Sequence, residues 1–421
     1  MSPTTDATRA SVMQAESSDN PHMTAISLRA AAPARLAVTR LTLTDFRLYA
    51  AARLAVDERP VVLTGPNGAG KTNLLEAISF LAPGRGLRRA KLAEIDRRVP
   101  PARATERTPG AWALAATVAT PRGAVQIGTG RDAASDSGER RLVRIDGAPA
   151  KTQAALAEHM SLVWLTPQMD RLFLEGSAPR RRFLDRLVYG FDPEHAQRVG
   201  AYEQAMRERA RLLREHPADP AWLGALEERM AEHGIAVVAA RRDVTARLDQ
   251  VCRTPRGPFP SARLAQTGEV VEWVETMPAL AAEERLRERL HAARGTDGES
   301  GATTVGPHRG DFVVRHAATG MAAAECSTGE QKALLLAVLL AQARLQTELR
   351  GVAPVMLLDE VTAHLDAARR AALFAEIAEL GVQAWLTGTD AALFAPLGEG
   401  AQFFGVADGE IAAATLEVMG R

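Results

Sequence analysis

The residues best suited to chemistry are Gly65, Pro66, Asn67, Gly68, Ala69, Gly70, Lys71 and Thr72. A glycine, four residues and then Gly-Lys-Thr is the spacing of a phosphate-binding loop. Its glycines let backbone N–H groups converge on phosphate oxygens. The run 73–81, opened by Asn73, reads as a helix with an apolar face. Its N-terminus adds partial positive charge at the same place, and Asn73 is counted with the nucleotide contacts. In a nucleoside triphosphate site, Lys71 would reach the β- and γ-phosphates and Thr72 would ligate Mg²⁺. A glycine turn before an ordinary helix is the alternative, but the full pattern arises by chance in only roughly 1% of chains this long.

Further residues could complete such a site. The run 354–358 is apolar and ends in Asp359 and Glu360. As a parallel strand it would present both acids at its C-terminal mouth, where open α/β sheets bind ligands. Asp359 would hold Mg²⁺, directly or through water, and Glu360 would polarise the attacking water. Gln168 sits at the exit of a buried run, 161–165, and reads either as a contact to Mg²⁺ and that water or as a polar loop residue. Ser327-Thr328-Gly329-Glu330 opens a long apolar helix over 329–349. It is either a second anion site at a helix start or an ordinary N-cap. Arg47, upstream of the glycine loop, is equally a nucleotide contact or a surface arginine at a turn.

These residues require a scaffold of strands and helices. Residues 60–64 read as the buried strand before the glycine loop. Residues 36–44 alternate as a strand, and 52–56 would return beside it. Residues 112–120, 124–130 and 140–146 read as antiparallel strands, with turns at Pro121-Arg122-Gly123 and Asp146-Gly147 and a polar loop at 132–139. Residues 152–160 are expected as helix. Pro179 suits the first turn of another, which carries Arg180, Arg181, Arg182 and Arg186. That arginine cluster could bind phosphates or partner carboxylates. From 192 to about 294 the chain is rich in Ala, Arg, Glu and Leu with helical periodicity, broken at His216-Pro217, Pro220 and 254–258. Antiparallel helices in a separate lobe are expected, and no sustained heptads predict a long coiled coil. Residues 295–304 are polar, glycine-rich and expected to be mobile. Residues 382–386 read as a further strand, ending in Thr387-Gly388-Thr389-Asp390.

Composition bounds the class. The chain has 421 residues and a formal net charge of zero. That length suits two or three domains, and neutrality means any nucleic-acid contact must come from local patches. One candidate patch is the basic loop holding Arg85, Arg88, Arg89 and Lys91, extended by Arg97, Arg98, Arg103 and Arg107. It reads as a DNA-backbone contact or as a solvated loop. Cys252 and Cys326 lack metal or redox spacing and suggest a reducing, cytoplasmic setting. No apolar run approaches the ~18–20 residues that span a bilayer, so no membrane association is expected. Residues 1–35 lack periodicity and a signal-peptide pattern, and are expected as a disordered leader.

Together the glycine loop, the Ser327 turn, the acidic pair and His364-Leu365-Asp366 resemble the ABC ATPase class. In that class the Ser327 turn would contact the γ-phosphate of ATP held by another subunit, and Asp366 would communicate across the dimer interface. Thr389 departs from the transporter pattern, which carries His there. Further segments narrow the resemblance: Asp45-Phe46-Arg47-Leu48-Tyr49, Asn73-Leu74-Leu75-Glu76-Ala77-Ile78, Pro179-Arg180-Arg181-Arg182-Phe183-Leu184-Asp185, Gly306-Pro307-His308-Arg309 and Thr387-Gly388-Thr389-Asp390. These are similar to the RecF recombination-repair ATPases over roughly residues 36–420, except that Gly310 replaces a polar or acidic residue.

The resemblance implies an α/β fold. It would be an ABC-type ATPase head, with a phosphate-loop mixed sheet and an antiparallel subdomain, plus a second, mainly helical lobe. The head would comprise 36–191 and 301–421, and the lobe 192–300. Two ATP molecules would be sandwiched in a head-to-tail homodimer, with Lys71 and Thr72 of one subunit facing Ser327 and Gly329 of the other. The dimer would bind double-stranded DNA, preferably at single-strand gap junctions. With RecO and RecR it would promote RecA loading in gap repair, replication restart and SOS induction. Its slow, DNA-stimulated hydrolysis would act as a switch. A membrane-transporter subunit and an SMC-like structural ATPase are the competing readings.

Overall fold

The computed structural model describes residues 35–97, 110–133, 140–215, 219–363 and 365–414. Residues 1–34 of the leader expected over 1–35, Arg98, Arg103, Arg107, most of the polar loop at 132–139, the break at His216-Pro217 and His364 lie outside these residues.

Strand β1 (Ala37–Phe46) alternates buried and open positions and pairs with β2 (Tyr49–Ala55). The hairpin is tighter than expected. Phe46 pairs directly with Tyr49, and Arg47 takes a left-handed φ of 54° at the turn. Strand β3 (Val61–Thr64) is buried at every position, as a strand covered on both faces must be. Helix α1 (Lys71–Ser79) begins at the lysine itself. Strands β4 (Ala113–Thr120), β5 (Gly123–Arg131), β6 (Arg141–Ile145) and β7 (Ala148–Pro149) extend the first hairpin into a six-stranded sheet of order β2-β1-β4-β5-β6-β7, antiparallel throughout. Asp146 and Gly147 both have positive φ, 49° and 82°, which a two-residue hairpin turn requires.

The helix expected at 152–160 is only a 3₁₀ turn, Gln153–Glu158. It leads into β8 (Leu162–Leu165), a second 3₁₀ turn Pro167–Arg171, and α2 (Ser177–Tyr189) with Pro179 in its first turn. Helices α3 (His195–Leu212) and α4 (Pro220–Cys252) follow, the second capped by the Asp219 carboxylate, which accepts from the Ala221 N–H at 2.9 Å.

Two expectations fail here. The stretch from 192 to 294 is not helical throughout, because β9 (Ala262–Thr267) lies within it, antiparallel to β10 (Asp311–His316). Residues 295–304 are not a mobile loop. After α5 (Glu269–Thr276) and α6 (Ala279–Ala292), α7 (Arg294–Ser300) is held by its own buried Asp297. The Asp297 carboxylate accepts from Arg209 Nη1 at 2.6 Å and from the Thr304 N–H at 2.9 Å. Arg209 also donates to Glu227 at 3.0 Å, and Arg294 donates to Glu227 at 2.9 and 2.6 Å. Around this network Tyr202, Met230, Ile235, Trp273 and Leu286 form an apolar core shared by α3–α6.

Helix α8 (Thr328–Arg350), strand β11 (Val355–Leu358), helix α9 (Ala367–Leu380) and strands β12 (Ala384–Gly388), β13 (Gln402–Ala407) and β14 (Glu410–Ala414) complete the fold. The second sheet has the order β14-β13-β3-β12-β11-β8. All neighbours in it are parallel except the β13–β14 edge pair. One face carries Leu63, Leu357 and Trp385 against α1 residues such as Leu74; the other carries Met356, Leu358 and Leu386 against α8 residues such as Leu335 and Leu339. Because these strands run in one direction, the exits of β3, β8, β11 and β12 lie side by side along one edge.

Candidate nucleotide site

Four strand exits build the site. Beyond β3, residues 65–70 turn through positive φ at Gly65 (147°), Gly68 (83°) and Gly70 (112°). A Cβ at Gly65 would lie 2.1 Å from the Val406 carbonyl oxygen of β13, and one at Gly70 would lie 2.7 Å from the Tyr49 hydroxyl. Glycine is therefore required at both. The Tyr49 hydroxyl donates to the Gly70 carbonyl at 3.1 Å from beneath the loop, and burial raises its pKa above the ordinary range.

Lys71 is only 4% exposed. Its Nζ donates to the carbonyls of Gly65 (2.7 Å) and Pro66 (3.0 Å) and lies 3.6 Å from the Glu360 carboxylate. The Thr72 hydroxyl in the first turn of α1 donates to Asp359, just beyond β11, at 2.9 Å. On the other side, the Thr387 hydroxyl at the end of β12 donates to the same carboxylate at 2.8 Å. That hydroxyl also accepts the Glu360 N–H at 2.8 Å. Glu360 holds a left-handed φ of 49°, unusual for a non-glycine residue and common at functional sites. Thr166, Pro167 and Gln168 follow β8.

These residues enclose a cavity of about 310 Å³, lined by Asn67, Gly68, Gly70, Lys71, Thr72, Asn73, Leu87, Arg88, Thr166, Pro167, Gln168, Asp359 and Glu360. The donor set fits a magnesium triphosphate. The Lys71 ammonium lines the same cavity as the Thr72 hydroxyl and the Asp359 carboxylate, which are in contact. Among the described residues no cluster of His, Cys, Asp or Glu could hold a metal unaided.

Several predicted residues stand outside the cavity wall. Ser327 and Gly329 do not line it. Ser327 is exposed and caps α8, with its hydroxyl donating to Glu330 Oε2 at 2.8 Å and the Glu330 carboxylate accepting the Ser327 N–H at 2.9 Å. Those hydrogen bonds hold the Glu330 carboxyl below its usual pKa. Asp366 is also exposed and caps α9 by accepting the Arg369 N–H at 2.8 Å. Arg47 is absent from the cavity wall too. Its guanidinium grips the buried Glu76 of α1 at 2.9 and 2.7 Å and donates to the Glu94 carbonyl.

The basic loop divides. Arg88 reaches inward, donating to Asn73 at 3.2 Å and approaching Glu76 at 3.7 Å. Arg85, Arg89 and Lys91 are exposed. Arg85 and Arg89 share a groove with Arg182 and Arg186, and this groove meets the nucleotide cavity at Leu87, Thr166 and Gln168. Arg186 stacks 4.5 Å over Trp164. The other conspicuous arginines have internal partners. Arg180 takes Asp311 in a two-pronged pair at 2.9 and 2.7 Å, and Arg181 donates to the Gly310 carbonyl. His308 sits between the Tyr202 hydroxyl (2.7 Å) and the Thr303 carbonyl (2.9 Å). The segments 179–185 and 306–311 therefore join the helices to the head, and none of their residues lines the nucleotide cavity.

Sequence reasoning gave no roles to Thr387, Tyr49, Glu76 or Lys332. Each acts through a neighbour that only the strand order and the packing reveal. The Thr-Gly at 387–388 was visible as a strand exit, and that was the available signal.

The chain was compared with known proteins. The family described as RecF/RecN/SMC N terminal domain matches residues 37–397. A DNA replication and repair protein RecF of Rhizobium rhizogenes is 50% identical over 381 residues, covering 90% of this chain and 99% of that protein. Its counterpart in Mesorhizobium japonicum is 49% identical over 385 residues, with 90% and 98% covered. Among solved structures, the recombination mediator protein RecF-ATPrS in the RecFOR pathway shares the fold with a TM-score of 0.77 at 22% identity, covering 91% of this chain and 99% of that one. An Smc head domain from Pyrococcus furiosus reaches 0.52 at 16% identity, with 91% and 97% covered. With half its residues shared across nearly the whole length of such relatives, the chain belongs to the RecF family of DNA replication and repair proteins.

Proposed function

We propose that this chain is an ATP-switched DNA clamp that serves as a recombination mediator in DNA replication and repair. The observation that carries the proposal is the split between the cavity and the Ser327 turn. One protomer supplies the glycine loop, Lys71, Thr72, Asp359, Glu360 and Gln168 to a single cavity, while its Ser327–Gly329 turn, exposed at Ser327 and Thr328 and half-buried at Gly329, lies outside it. The turn therefore has N–H groups and a hydroxyl to offer a phosphate only on another molecule. In a head-to-tail homodimer each ATP would be held by Lys71, Thr72 and the loop of one protomer and sealed by Ser327, Gly329 and Asp366 of its partner. Lys71 would retain the β- and γ-phosphates, while Thr72 and Asp359, with Gln168, would hold Mg²⁺, which supplies charge neutralisation at the phosphates. Glu360 would accept a proton from the attacking water. Loss of the γ-phosphate removes what joins the halves. The head would comprise 36–191 and 301–421, and the helical lobe 192–300.

Arg85, Arg89 and Lys91 would contact the DNA backbone, with Arg88 linking that loop to Asn73 beside the nucleotide. The dimer would recognise double-stranded DNA at gap junctions and, with RecO and RecR, promote RecA loading in gap repair, replication restart and SOS induction. A cytoplasmic location follows from that role. Among the described residues no helix is long and apolar enough to cross a membrane.

Light scattering with saturating ATP tests the clamp. Lys71→Met should lose ATP binding, and Glu360→Gln should bind ATP and accumulate dimer. A Glu360→Gln protein that remains monomeric would end the proposal. DNA affinity should fall about tenfold or more for a few-fold rise in salt. Replacing Arg85, Arg89 and Lys91 by alanine should weaken binding equally across DNA sequences. Unchanged affinity removes the loop from the DNA interface.

A further inference from the structure

Lys332 is a buried ammonium that the nucleotide chemistry does not use. It lies one turn beyond Gly329 on α8, the helix that the exposed Ser327 turn opens, and is only 4% exposed. Its Nζ donates to the Ala363 carbonyl at 2.7 Å and lies 3.8 Å from Asp170 Oδ2. Ala363 belongs to the turn led by Glu360, whose carbonyl accepts the Ala363 N–H at 3.2 Å. Asp170 belongs to the 3₁₀ turn Pro167–Arg171 that carries Gln168. One side chain on the partner-facing helix thus ties down both loops that present Gln168 and Glu360 to the protomer's own cavity.

A packed core needs no charge at this position. A buried ammonium loses hydration, and burial does lower the Lys332 pKa, against the opposing pull of Asp170 and Glu360. Apolar side chains of similar volume in place of the whole Lys332–Asp170 pair would fill the space at comparable or better stability. The cation therefore has a different benefit, and its connections indicate one. The Ser327 turn belongs to the partner's nucleotide, whereas Gln168 and Glu360 belong to the protomer's own.

We infer that Lys332 is the positioning residue through which capture of the partner's γ-phosphate at the Ser327 turn sets Gln168 and Glu360 for hydrolysis at the protomer's own site, so that the two sites of the dimer fire cooperatively. This rests on the ATP-bridged dimer proposed above. Movement of α8 toward the partner carries Nζ with it. Through the Ala363 carbonyl and the Asp170 carboxylate, both loops receive the same displacement. Gly329 and Lys332 lie one turn apart on α8, a continuous helix buried along most of its length, so a displacement of its first turn reaches Nζ directly.

The test uses the full-length chain and steady-state hydrolysis against ATP concentration, with dimer formation followed in parallel by light scattering. Lys332→Met should fold, bind ATP within about twofold of the parent and still form dimer. Its turnover in the dimer should fall about tenfold or more, with the Hill coefficient dropping to about 1. Asp170→Asn should weaken the same connection and lower cooperativity, and the double variant should be no worse than Lys332→Met, the mark of a shared pathway. A Lys332→Met protein that dimerises and hydrolyses with the parent's Hill coefficient overturns this inference and leaves the clamp intact. A lowered melting temperature with unaltered cooperativity also overturns it, showing Lys332 to be purely structural. A parent chain that never dimerises with ATP overturns both.

Discussion

The Thr387 hydroxyl makes two hydrogen bonds, and Thr387→Val removes both while keeping the side chain's shape. It donates to Asp359 and accepts the Glu360 N–H, each at 2.8 Å. Losing the acceptor leaves a sheltered N–H unpaired, which costs about 1–3 kcal/mol. Asp359 keeps the Thr72 hydroxyl, so its loss is the smaller one. Glu360 is held at a left-handed φ of 49°, a conformation that costs a non-glycine residue about 1–2 kcal/mol. Without its anchor the Glu360 peptide can relax, recovering that strain and finding another partner for its N–H. The orientation poised for chemistry then lies roughly 2 kcal/mol above the relaxed one, and at ~1.4 kcal/mol per tenfold this is about a 30-fold loss of turnover. ATP affinity should change only about threefold, because Lys71 and the glycine loop follow a different strand. Single-turnover phosphate release and a fluorescent-ATP titration separate the two effects. Thr387→Ser, which restores the hydroxyl, should recover most of the rate. Turnover by Thr387→Val within twofold of the parent would refute the assigned geometry of Glu360.

Three further outcomes follow from the same coordinates. Gly65→Ala places a Cβ 2.1 Å from the Val406 carbonyl oxygen at a φ of 147°, so nucleotide binding should be lost and the melting temperature lowered; a parent-like melting curve with intact binding contradicts the close approach of the loop to β13. Arg209→Met strands Asp297 and part of Glu227 in the helical core, which should cost about 3–5 kcal/mol and be read as earlier thermal unfolding and faster proteolysis; unchanged unfolding would show the network to be dispensable. Burial holds the His308 imidazole below its ordinary pKa of 6.5. Below that pH the unfolded chain takes up a proton that the folded chain resists, so stability present above pH 6.5 is lost as the pH falls; His308→Gln should flatten the fall in melting temperature between about pH 7 and 5.5, and an identical slope would show that His308 does not contribute.

The parts of the fold legible in the sequence were those written in local patterns. Residues 61–63 and 355–358 are continuous apolar runs bounded by polar and turn residues, and both lie in fully buried parallel strands. The glycine loop and the acidic pair could be placed from type and spacing because each sits directly at a strand exit. Features decided by distant pairing were not legible. Strand β9 alternates over only six residues amid strongly helical sequence, and its partner β10 lies beyond three further helices. Helix α7 has two glycines and polar neighbours, so its local propensity points to a loop. What orders it is Asp297, whose carboxylate answers Arg209 from a helix far upstream. Thr387 gains its role only once β12 is known to lie between β3 and β11.

Ser327 carries the capping reading its sequence left open, and that role competes for one hydrogen with the phosphate contact proposed for it. As a cap its hydroxyl donates to the Glu330 carboxylate at 2.8 Å, and that carboxylate also accepts the Ser327 N–H. To donate to a partner's phosphate, the hydroxyl must leave Glu330. The carboxylate cannot follow, because a second anion beside the phosphate is repelled. It keeps only the backbone N–H, and the turn gives up part of its own cap when it engages. An exposed bond of this kind is screened by water, weak beside a γ-phosphate contact in a closed interface yet enough to favour the capped state in a lone protomer. Glu330→Gln leaves an amide that can still take the N–H yet repels no phosphate. It should therefore strengthen ATP-dependent dimer formation several-fold without altering ATP affinity of the protomer. Equal dimer affinity in parent and variant would mean that the capping carboxylate sets no threshold on closure.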